Sequence, residues 1–95
     1  MKAAEMFSLK GRVALVTGAS SGLGVQFAKA LADNGAAVAL VARRLDRLST
    51  LKKEIEANGG RAVAIEADVT DSAAMIRAFE SAEKAFGTVT ILVNN

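Results

Sequence analysis

Four short apolar runs alternate with three helix-like segments along the 95-residue chain, and this alternation limits the folds open to it. The runs are VALVT (13–17), AVALVA (37–42), AVAIEA (62–67) and VTILVN (89–94). None shows strict polar alternation, which is typical of parallel strands covered on both faces. Because crossovers between parallel strands are right-handed, the order βαβαβαβ predicts an α/β fold, with a parallel sheet and helices on both of its faces.

Each helix-like segment predicts a buried apolar stripe and a glycine stop. The first stripe comprises Leu23, Phe27, Ala30 and Leu31, and its helix ends near Gly35. The second comprises Leu48, Leu51 and Ile55, and its helix ends in the NGG run at 58–60. The third helix is expected over about 71–86, with Thr70 or Asp71 as its cap and Gly87 as its stop. Its stripe comprises Met75, Phe79, Ala82 and Phe86.

The composition argues against several classes of protein. Twelve basic and ten acidic residues give a net charge of +2, and tyrosine, tryptophan and histidine are absent, which disfavours a nucleic-acid reader. Without cysteine or histidine, neither a disulfide framework nor a zinc site is expected, so no metal ligand is assigned. The start, MKAAEMFSLKGR, lacks the apolar core of a secretory signal, and no run is long enough to cross a bilayer. The default expectation is a soluble cytoplasmic protein.

The stretch TGASSGLG, residues 17–24, follows the first strand and opens the first helix. In that position glycines permit a tight turn and let backbone N–H groups reach an anion at the helix N-terminus. We expect Gly18 to make the turn, Gly22 to admit a pyrophosphate and Gly24 to let the helix pack on the sheet. Ser20 and Ser21 add hydroxyls within reach of a phosphate or ribose. The alternative is that the glycines only shape a tight turn. Three glycines and two serines between strand and helix favour a dinucleotide site.

The spacing TGxxxGxG in this loop resembles that of the short-chain dehydrogenase/reductase family. Three more segments resemble the same family in order: LKGRVALVTG before the loop, EADVTD after the third strand, and ILVNN at the end. The resemblance covers the whole chain. It implies a Rossmann-type, doubly wound parallel sheet, here partial, with strand order 3-2-1-4. It also implies that residues 1–95 are the N-terminal part of a single NAD(P)-binding domain whose catalytic half is absent from this sequence.

The resemblance implies cofactor-binding roles for individual positions. The glycine motif maps onto Thr17, Gly18, Gly22 and Gly24, which would contact the adenosine ribose and pyrophosphate. Leu23 would lie near the nicotinamide end. Asp68 would accept a hydrogen bond from the adenine amino group, with Val69 lining the same pocket; the alternative for Asp68 is an ordinary turn carboxylate.

At the end of the chain, the resemblance implies that Asn94 and Asn95 border the cofactor and hydrogen-bond to the segment holding Thr17. The alternative is a merely polar strand end. One departure from the family is visible here. Thr90 stands where many members have an aspartate, which leaves the local hydrogen bonding in doubt.

Cofactor choice is indicated by the end of the second strand, VALVARR. Proteins that prefer NAD usually place a carboxylate there for the ribose 2′-hydroxyl, whereas guanidinium groups can grip a 2′-phosphate in a forked geometry. Arg43 and Arg44 occupy the position, and Asp46 is the nearest acidic residue. NADP(H) is therefore predicted with Arg43 as the leading contact, NAD(H) remaining possible. The alternative is that both arginines are solvated surface charges.

Catalytic residues cannot be assigned in this sequence. The family resemblance implies a tyrosine, a lysine and a serine downstream of the Asn-Asn pair, and the 95 residues contain no tyrosine. The expected parent protein is an oxidoreductase acting on a small carbonyl or alcohol, while this chain alone is predicted inactive. An exposed last strand favours a homo-oligomer. Two alternatives remain: a non-catalytic nucleotide-binding or self-associating module, and, less favoured, a receiver or flavin domain.

Overall fold

The computed structural model of the protein describes residues 8–95, and alternating strands and helices make up that range. The strands are β1 (Val13–Thr17), β2 (Ala37–Ala42), β3 (Arg61–Glu66) and β4 (Ile91–Val93). The helices are α1 (Gly22–Asp33), α2 (Leu45–Ala57) and α3 (Ser72–Phe86). The predicted order βαβαβαβ is confirmed, and β1 and β2 have the predicted limits.

All four strands form one parallel sheet in the order β3-β2-β1-β4, as predicted. In register, Leu15 of β1 lies opposite Ala39 of β2 on one side and Leu92 of β4 on the other. The chain therefore adds β2 and β3 on one side of β1 and then crosses back to place β4 on the other side. This reversal next to β1 is the position at which open α/β sheets bind ligands.

The core has two layers, one on each face of the sheet. Every residue of β1 and β2 is buried, because helices cover both faces. Val16 and Leu40 pack with α1 and α2 on one face, and Leu15 and Val41 pack with α3 on the other. The doubly wound arrangement is thus confirmed for the described residues.

The helix ends follow the predicted chemistry. Asp71, and not Thr70, caps α3, since its Oδ1 accepts a hydrogen bond from the backbone N–H of Ala74 at 3.2 Å. Gly35 and Gly87 adopt φ values of +104° and +100°, the left-handed region in which a residue without Cβ is unstrained. The predicted stripe of α2 is found on its buried face. Of the α3 stripe, Met75, Phe79 and Ala82 pack in the core, whereas Phe86 is half-buried and has the guanidinium of Arg61 5.6 Å from its ring centre.

The predicted apolar stripe of α1 is wrong. Leu23 is 63% exposed and Phe27 is 44% exposed, and the buried residues of this helix are Gly24, Ala28 and Ala32. These three small residues recur every four positions and form one face, which allows the helix backbone to lie close to the loop and sheet. The face with the small residues is therefore the buried one, and the larger side chains of Leu23 and Phe27 are exposed.

The last strand is shorter than predicted, because its flanking residues form other hydrogen bonds. The N–H of Val89 donates to the Glu83 carboxylate at 3.1 Å and so does not enter a ladder. Thr90 donates its N–H to the carbonyl of Val13 at 2.9 Å, and its hydroxyl accepts from the N–H of Val13 at 3.4 Å. Thr90 thus supplies an acceptor at the position where the family pattern has an aspartate.

No helix of residues 8–95 is both long and apolar enough to cross a membrane. The expectation of no secretory signal concerns residues 1–12, and residues 1–7 of that stretch lie outside the described range.

Replacement of Gly24 by alanine is expected to destabilise the protein. Alanine gains about 1 kcal/mol of helix propensity over glycine, but a Cβ here would overlap the carbonyl oxygen of Gly18, and overpacking of this kind costs about 1–3 kcal/mol or more. Urea unfolding of Gly24→Ala should show a lower midpoint. Gln26→Ala, on the exposed face of α1, is the control and should stay within about 0.5 kcal/mol of the parent. A midpoint for Gly24→Ala above that of the parent would contradict the close contact.

Candidate functional site

A cleft of about 340 Å³ opens at the carboxyl ends of the parallel strands. The loops after β1, β2 and β3 and the last residue after β4 contribute to its wall. Its lining residues are Gly18, Ser20, Ala42, Arg43, Arg44, Ala67, Asp68, Val69, Thr70 and Asn95. Seven of the predicted site residues therefore line one cavity, although they come from four separate segments of the chain.

Thr17 joins the loop after β1 to the end of β4. Its side chain is almost fully buried, and its hydroxyl accepts a hydrogen bond from the N–H of Asn95 at 3.0 Å. The same hydroxyl lies 3.2 Å from Oδ1 of Asn94 and 3.3 Å from the carbonyl of Val93, and its single proton is shared between these two acceptors. The predicted hydrogen bond between the asparagine pair and the Thr17 segment is confirmed.

The glycine loop is held close to this network. Gly18 has a φ of +63°, and a Cβ there would lie 3.0 Å from Nδ2 of Asn95. Gly22 also has a positive φ of +57°, but a Cβ there would meet no atom within 4 Å. Gly24 packs against the carbonyl of Gly18, whose oxygen a Cβ would overlap, and against the side chain of Asn95. Its role is to seat the helix against its own entry loop.

The N-terminus of α1 has the properties of an anion site. Ser21 occupies the cap position, but its side chain makes no capping hydrogen bond, and the first turn contains no acidic residue. The free N–H groups and the helix dipole, roughly half a positive charge, therefore face outward from the loop. In α3, by contrast, Asp71 caps the first turn.

The last pair of the β2–β3 ladder is Ala42 with Glu66, and Ala67 then donates its N–H to the carbonyl of Ala42 at 3.0 Å, so Asp68 directly follows this last hydrogen bond. Oδ1 of Asp68 accepts from the hydroxyl of Thr70 at 2.7 Å and from its N–H at 2.9 Å. These hydrogen bonds, the hydroxyl first, lower the pKa of Asp68, and the positive charge of Arg43 acts in the same direction. Asp68 is therefore ionised at neutral pH and lies near a cation.

The two arginines after β2 differ in their contacts. Arg44 forms a two-pronged ion pair with Asp46, with Nε to Oδ1 at 3.2 Å and Nη2 to Oδ2 at 3.1 Å. The pair raises the pKa of Arg44 and lowers that of Asp46. Among the described residues Arg43 has no ion pair within 4 Å, and it lies exposed at the cleft. The positive charge of Arg43 is therefore the less compensated of the two.

Six predicted site residues do not line the cleft itself: Thr17, Ser21, Gly22, Leu23, Gly24 and Asn94. Thr17 and Asn94 lie behind the wall as its hydrogen-bonded support, and Ser21 to Gly24 form the helix start beside it. Ala42, Ala67 and Thr70 also line the cleft but are not among the residues predicted from the sequence. A signal for Thr70 exists in the sequence, because an aspartate commonly bonds the residue two positions on.

Comparison with known proteins places the chain in a family. The short chain dehydrogenase family profile matches residues 12–95. The chain is 45% identical over 86 residues to a short chain dehydrogenase of Pseudocercospora fijiensis, covering 90% of this chain and 28% of that protein. The chain belongs to the short-chain dehydrogenase family.

Two solved structures share the fold. A dehydrogenase/reductase from Sinorhizobium meliloti superposes with a TM-score of 0.93 at 45% identity, over 97% of this chain and 37% of that one. L-Sorbose reductase from Gluconobacter frateurii, complexed with NADPH and L-sorbose, superposes with a TM-score of 0.88 at 37% identity, over 94% of this chain and 34% of that one. The chain thus spans about a third of the length of these relatives.

Removal of the Thr17 hydroxyl is expected to weaken the joint between β1 and β4. Thr17→Val keeps the shape but leaves the N–H of Asn95 and Oδ1 of Asn94 without this partner, which typically costs about 1–3 kcal/mol. Thr17→Ser keeps the hydroxyl and is the matched control. Urea unfolding of both variants measures the difference, and equal midpoints for valine and serine would show that the hydroxyl contributes nothing to stability.

Proposed function

We propose that this chain is the cofactor-binding part of an NADP(H)-dependent oxidoreductase, which transfers hydride between a nicotinamide and a small carbonyl or alcohol substrate. The observation that carries the proposal is the exposed guanidinium of Arg43 at the carboxyl end of β2, beside a cleft bordered by the uncapped start of α1. Family membership supports the dinucleotide, and a structural relative is complexed with NADPH.

The pyrophosphate would lie at the start of α1. The positive φ of Gly22 and the open space on its Cβ side allow the backbone to approach a phosphate closely, and the dipole of α1 favours the negative charge. Ser20 and Ser21 would add hydroxyl donors. Thr17, Gly18 and Gly24 would hold the loop in this shape from behind, and Leu23 would lie toward the nicotinamide.

The 2′-phosphate would lie beside Arg43. Residues 42–45 contain no carboxylate to accept from a ribose 2′-hydroxyl, and the carboxylate of Asp46 is already bound by Arg44. A dianionic phosphate would therefore be attracted by the unpaired charge of Arg43 and by the remaining N–H donors of Arg44. No unpaired carboxylate at the carboxyl end of β2 would repel it.

The adenine ring would lie between the ends of β2 and β3. Ala42, Ala67 and the half-exposed Val69 provide apolar contact, and Asp68 provides an acceptor for the amino group. Asn95, and Asn94 behind it, would border the cofactor on the other side.

The nicotinamide supplies the hydride in such a reaction, while the protein binds and orients it. The 95 residues contain no tyrosine, so the phenol that the family uses as proton donor is not among them. This segment's part in catalysis is therefore to position the cofactor, and the activity is proposed for the protein that carries it.

A second candidate function is a nucleotide-binding module that associates with copies of itself and does not catalyse. It is favoured by β4, which is an edge strand of the described sheet and leaves Leu92 55% exposed. Oligomer formation together with NADPH binding but no oxidation of NADPH by any carbonyl substrate would support this candidate. Turnover would contradict it. A homo-oligomeric oxidoreductase would show both association and turnover.

Replacement of Arg43 by alanine is expected to weaken NADPH binding by roughly tenfold and NADH binding by less than about twofold, because only NADPH carries the 2′-phosphate that a charge-assisted hydrogen bond would hold. Fluorescence titration of the reduced cofactors measures both dissociation constants. Lys53→Ala removes an equal charge from an exposed position on α2 outside the cleft lining and is the control. Equal losses for the two cofactors would refute the NADP(H) assignment.

Replacement of Asp68 by alanine is expected to weaken NADPH and NADH by the same factor, roughly five- to twentyfold, because the adenine group is common to both. The same titration applies, with Asp33→Ala at the exposed end of α1 as the control for a lost carboxylate. Unchanged affinity for both cofactors would make Asp68 a turn residue only.

A further inference from the structure

Two helices of the chain end in the same dipeptide, Asn-Gly. Asn34 is the C-cap residue of α1 and Asn58 that of α2, and their backbones are nearly identical, with φ of −93° in both and ψ of 7° and 12°. The glycines that follow, Gly35 and Gly59, have φ of +104° and +86°. The N–H of each glycine donates at 3.0 Å to the carbonyl three positions earlier. The two helix ends are therefore a matched pair in sequence and in backbone.

An Asn-Gly pair is chemically unstable in water. The glycine nitrogen, once it has lost its proton to a base, attacks Cγ of the asparagine side chain. A new C–N bond forms, the bond from Cγ to Nδ2 breaks, and Nδ2 takes up protons and leaves as ammonia. Water then opens the five-membered imide at either carbonyl, which gives aspartate or isoaspartate. Glycine permits the attack because it has no Cβ beside the nitrogen.

The folded helix ends prevent this reaction at both pairs. Ring closure requires the glycine nitrogen and the Cβ of the asparagine to lie on the same side of the Cα–C bond, and at ψ of 7° and 12° they do not. The hydrogen bond of the glycine N–H must break, and ψ must rotate, before the atoms can meet. The rate at each pair is therefore set by how readily its helix end opens.

The end of α1 is held by contacts besides the helical hydrogen bonds. Nδ2 of Asn34, the nitrogen that would leave, donates to the carbonyl of Ala30 at 2.7 Å. The carbonyl of Asn34 accepts from the N–H of Leu9 at 2.6 Å. A Cβ on Gly35 would lie 3.0 Å from the backbone nitrogen of Lys10, so this segment covers the glycine. Opening of this end breaks all of these contacts.

The end of α2 lacks such contacts. Asn58 is exposed, and within residues 8–95 its side-chain amide has no hydrogen-bond partner. A Cβ on Gly59 would meet no atom within 4 Å. Only the hydrogen bonds of the helix end itself keep this pair in place. Fewer contacts are lost when it opens.

We propose that Asn58–Gly59 is a modification site, at which the amide of Asn58 is hydrolysed spontaneously through the cyclic imide, while the fold protects Asn34–Gly35. The carboxylate formed would lie at the negative end of α2, four residues after Glu54 and in the same cavity as the Lys29–Glu54 ion pair. It would therefore destabilise the end of α2. The inference is independent of the cofactor and of catalysis.

The test follows both pairs in one intact protein. The folded protein is incubated at mildly alkaline pH, samples are digested briefly with trypsin, and the conversion of amide to acid is measured by mass spectrometry. Peptides 30–43 and 54–61 carry one asparagine each. Asn58 is expected to react at least about fivefold faster than Asn34, because hydrogen bonds that hold one end are missing at the other. In concentrated urea, where the fold is lost, the two rates should become similar.

The outcomes distinguish protection by the fold from local sequence. Equal rates in the folded protein, or a faster reaction at Asn34, would overturn the inference. A preference for Asn58 of the same size in urea would overturn it too, because the difference would then come from the neighbouring residues. Conversion of both peptides in urea with none at Asn58 in the folded protein would show that the fold protects both pairs, and would also refute it.

The effect of the modification is measured on a variant that carries the product charge. Asn58→Asp is expected to unfold at a lower urea concentration than Asn58→Ser, which also removes the amide but adds no charge. High salt should narrow the difference, because the repulsion acts between exposed groups. Equal midpoints of the two variants would overturn the proposed destabilisation of the end of α2.

Discussion

The site depends on the hydroxyl of Thr17, because this buried group connects two strands that are far apart in sequence. Residues 17 and 95 are separated by three helices and three strands, yet the N–H of Asn95 donates directly to this hydroxyl. This hydrogen bond fixes where the end of β4 lies relative to the loop after β1. Asn95 in turn packs against Gly18 and Gly24, so the shape of the glycine loop and the position of the last strand are determined together.

Strand limits could be predicted from the sequence where burial on both faces leaves no other arrangement for an apolar run, as in β1 and β2. The face of α1 could not be predicted from side-chain size. Gly24, Ala28 and Ala32 have little apolar surface of their own, but Gly24 lets the helix backbone approach the carbonyl of Gly18, while Leu23 and Phe27 stay exposed. Periodicity identifies the helix but does not say whether large or small residues face inward.

The membership of the site could be predicted from the rule that parallel strands place their carboxyl ends at one edge, and seven of the thirteen proposed residues line the cleft. Arg43 could also be ranked ahead of Arg44 from the sequence, but the reason for the difference could not be predicted. Only the positions of the side chains show that Arg44 is bound to Asp46 while Arg43 lies near Asp68. The sequence offers Thr70 as a helix cap, but Asp71 caps the helix, and only the geometry shows the hydrogen bond between Thr70 and Asp68.

The small-residue face of α1 separates two tasks that most amphipathic helices combine. In such a helix the large apolar residues both anchor the helix and fill the core, so their replacement alters its depth. Here the depth is set by Gly24 and the alanines, while Leu23 and Phe27 lie on the outer side. The surface at this end of the helix, which Leu23 and Phe27 form, can therefore change without a change in the depth at which the helix lies against the glycine loop.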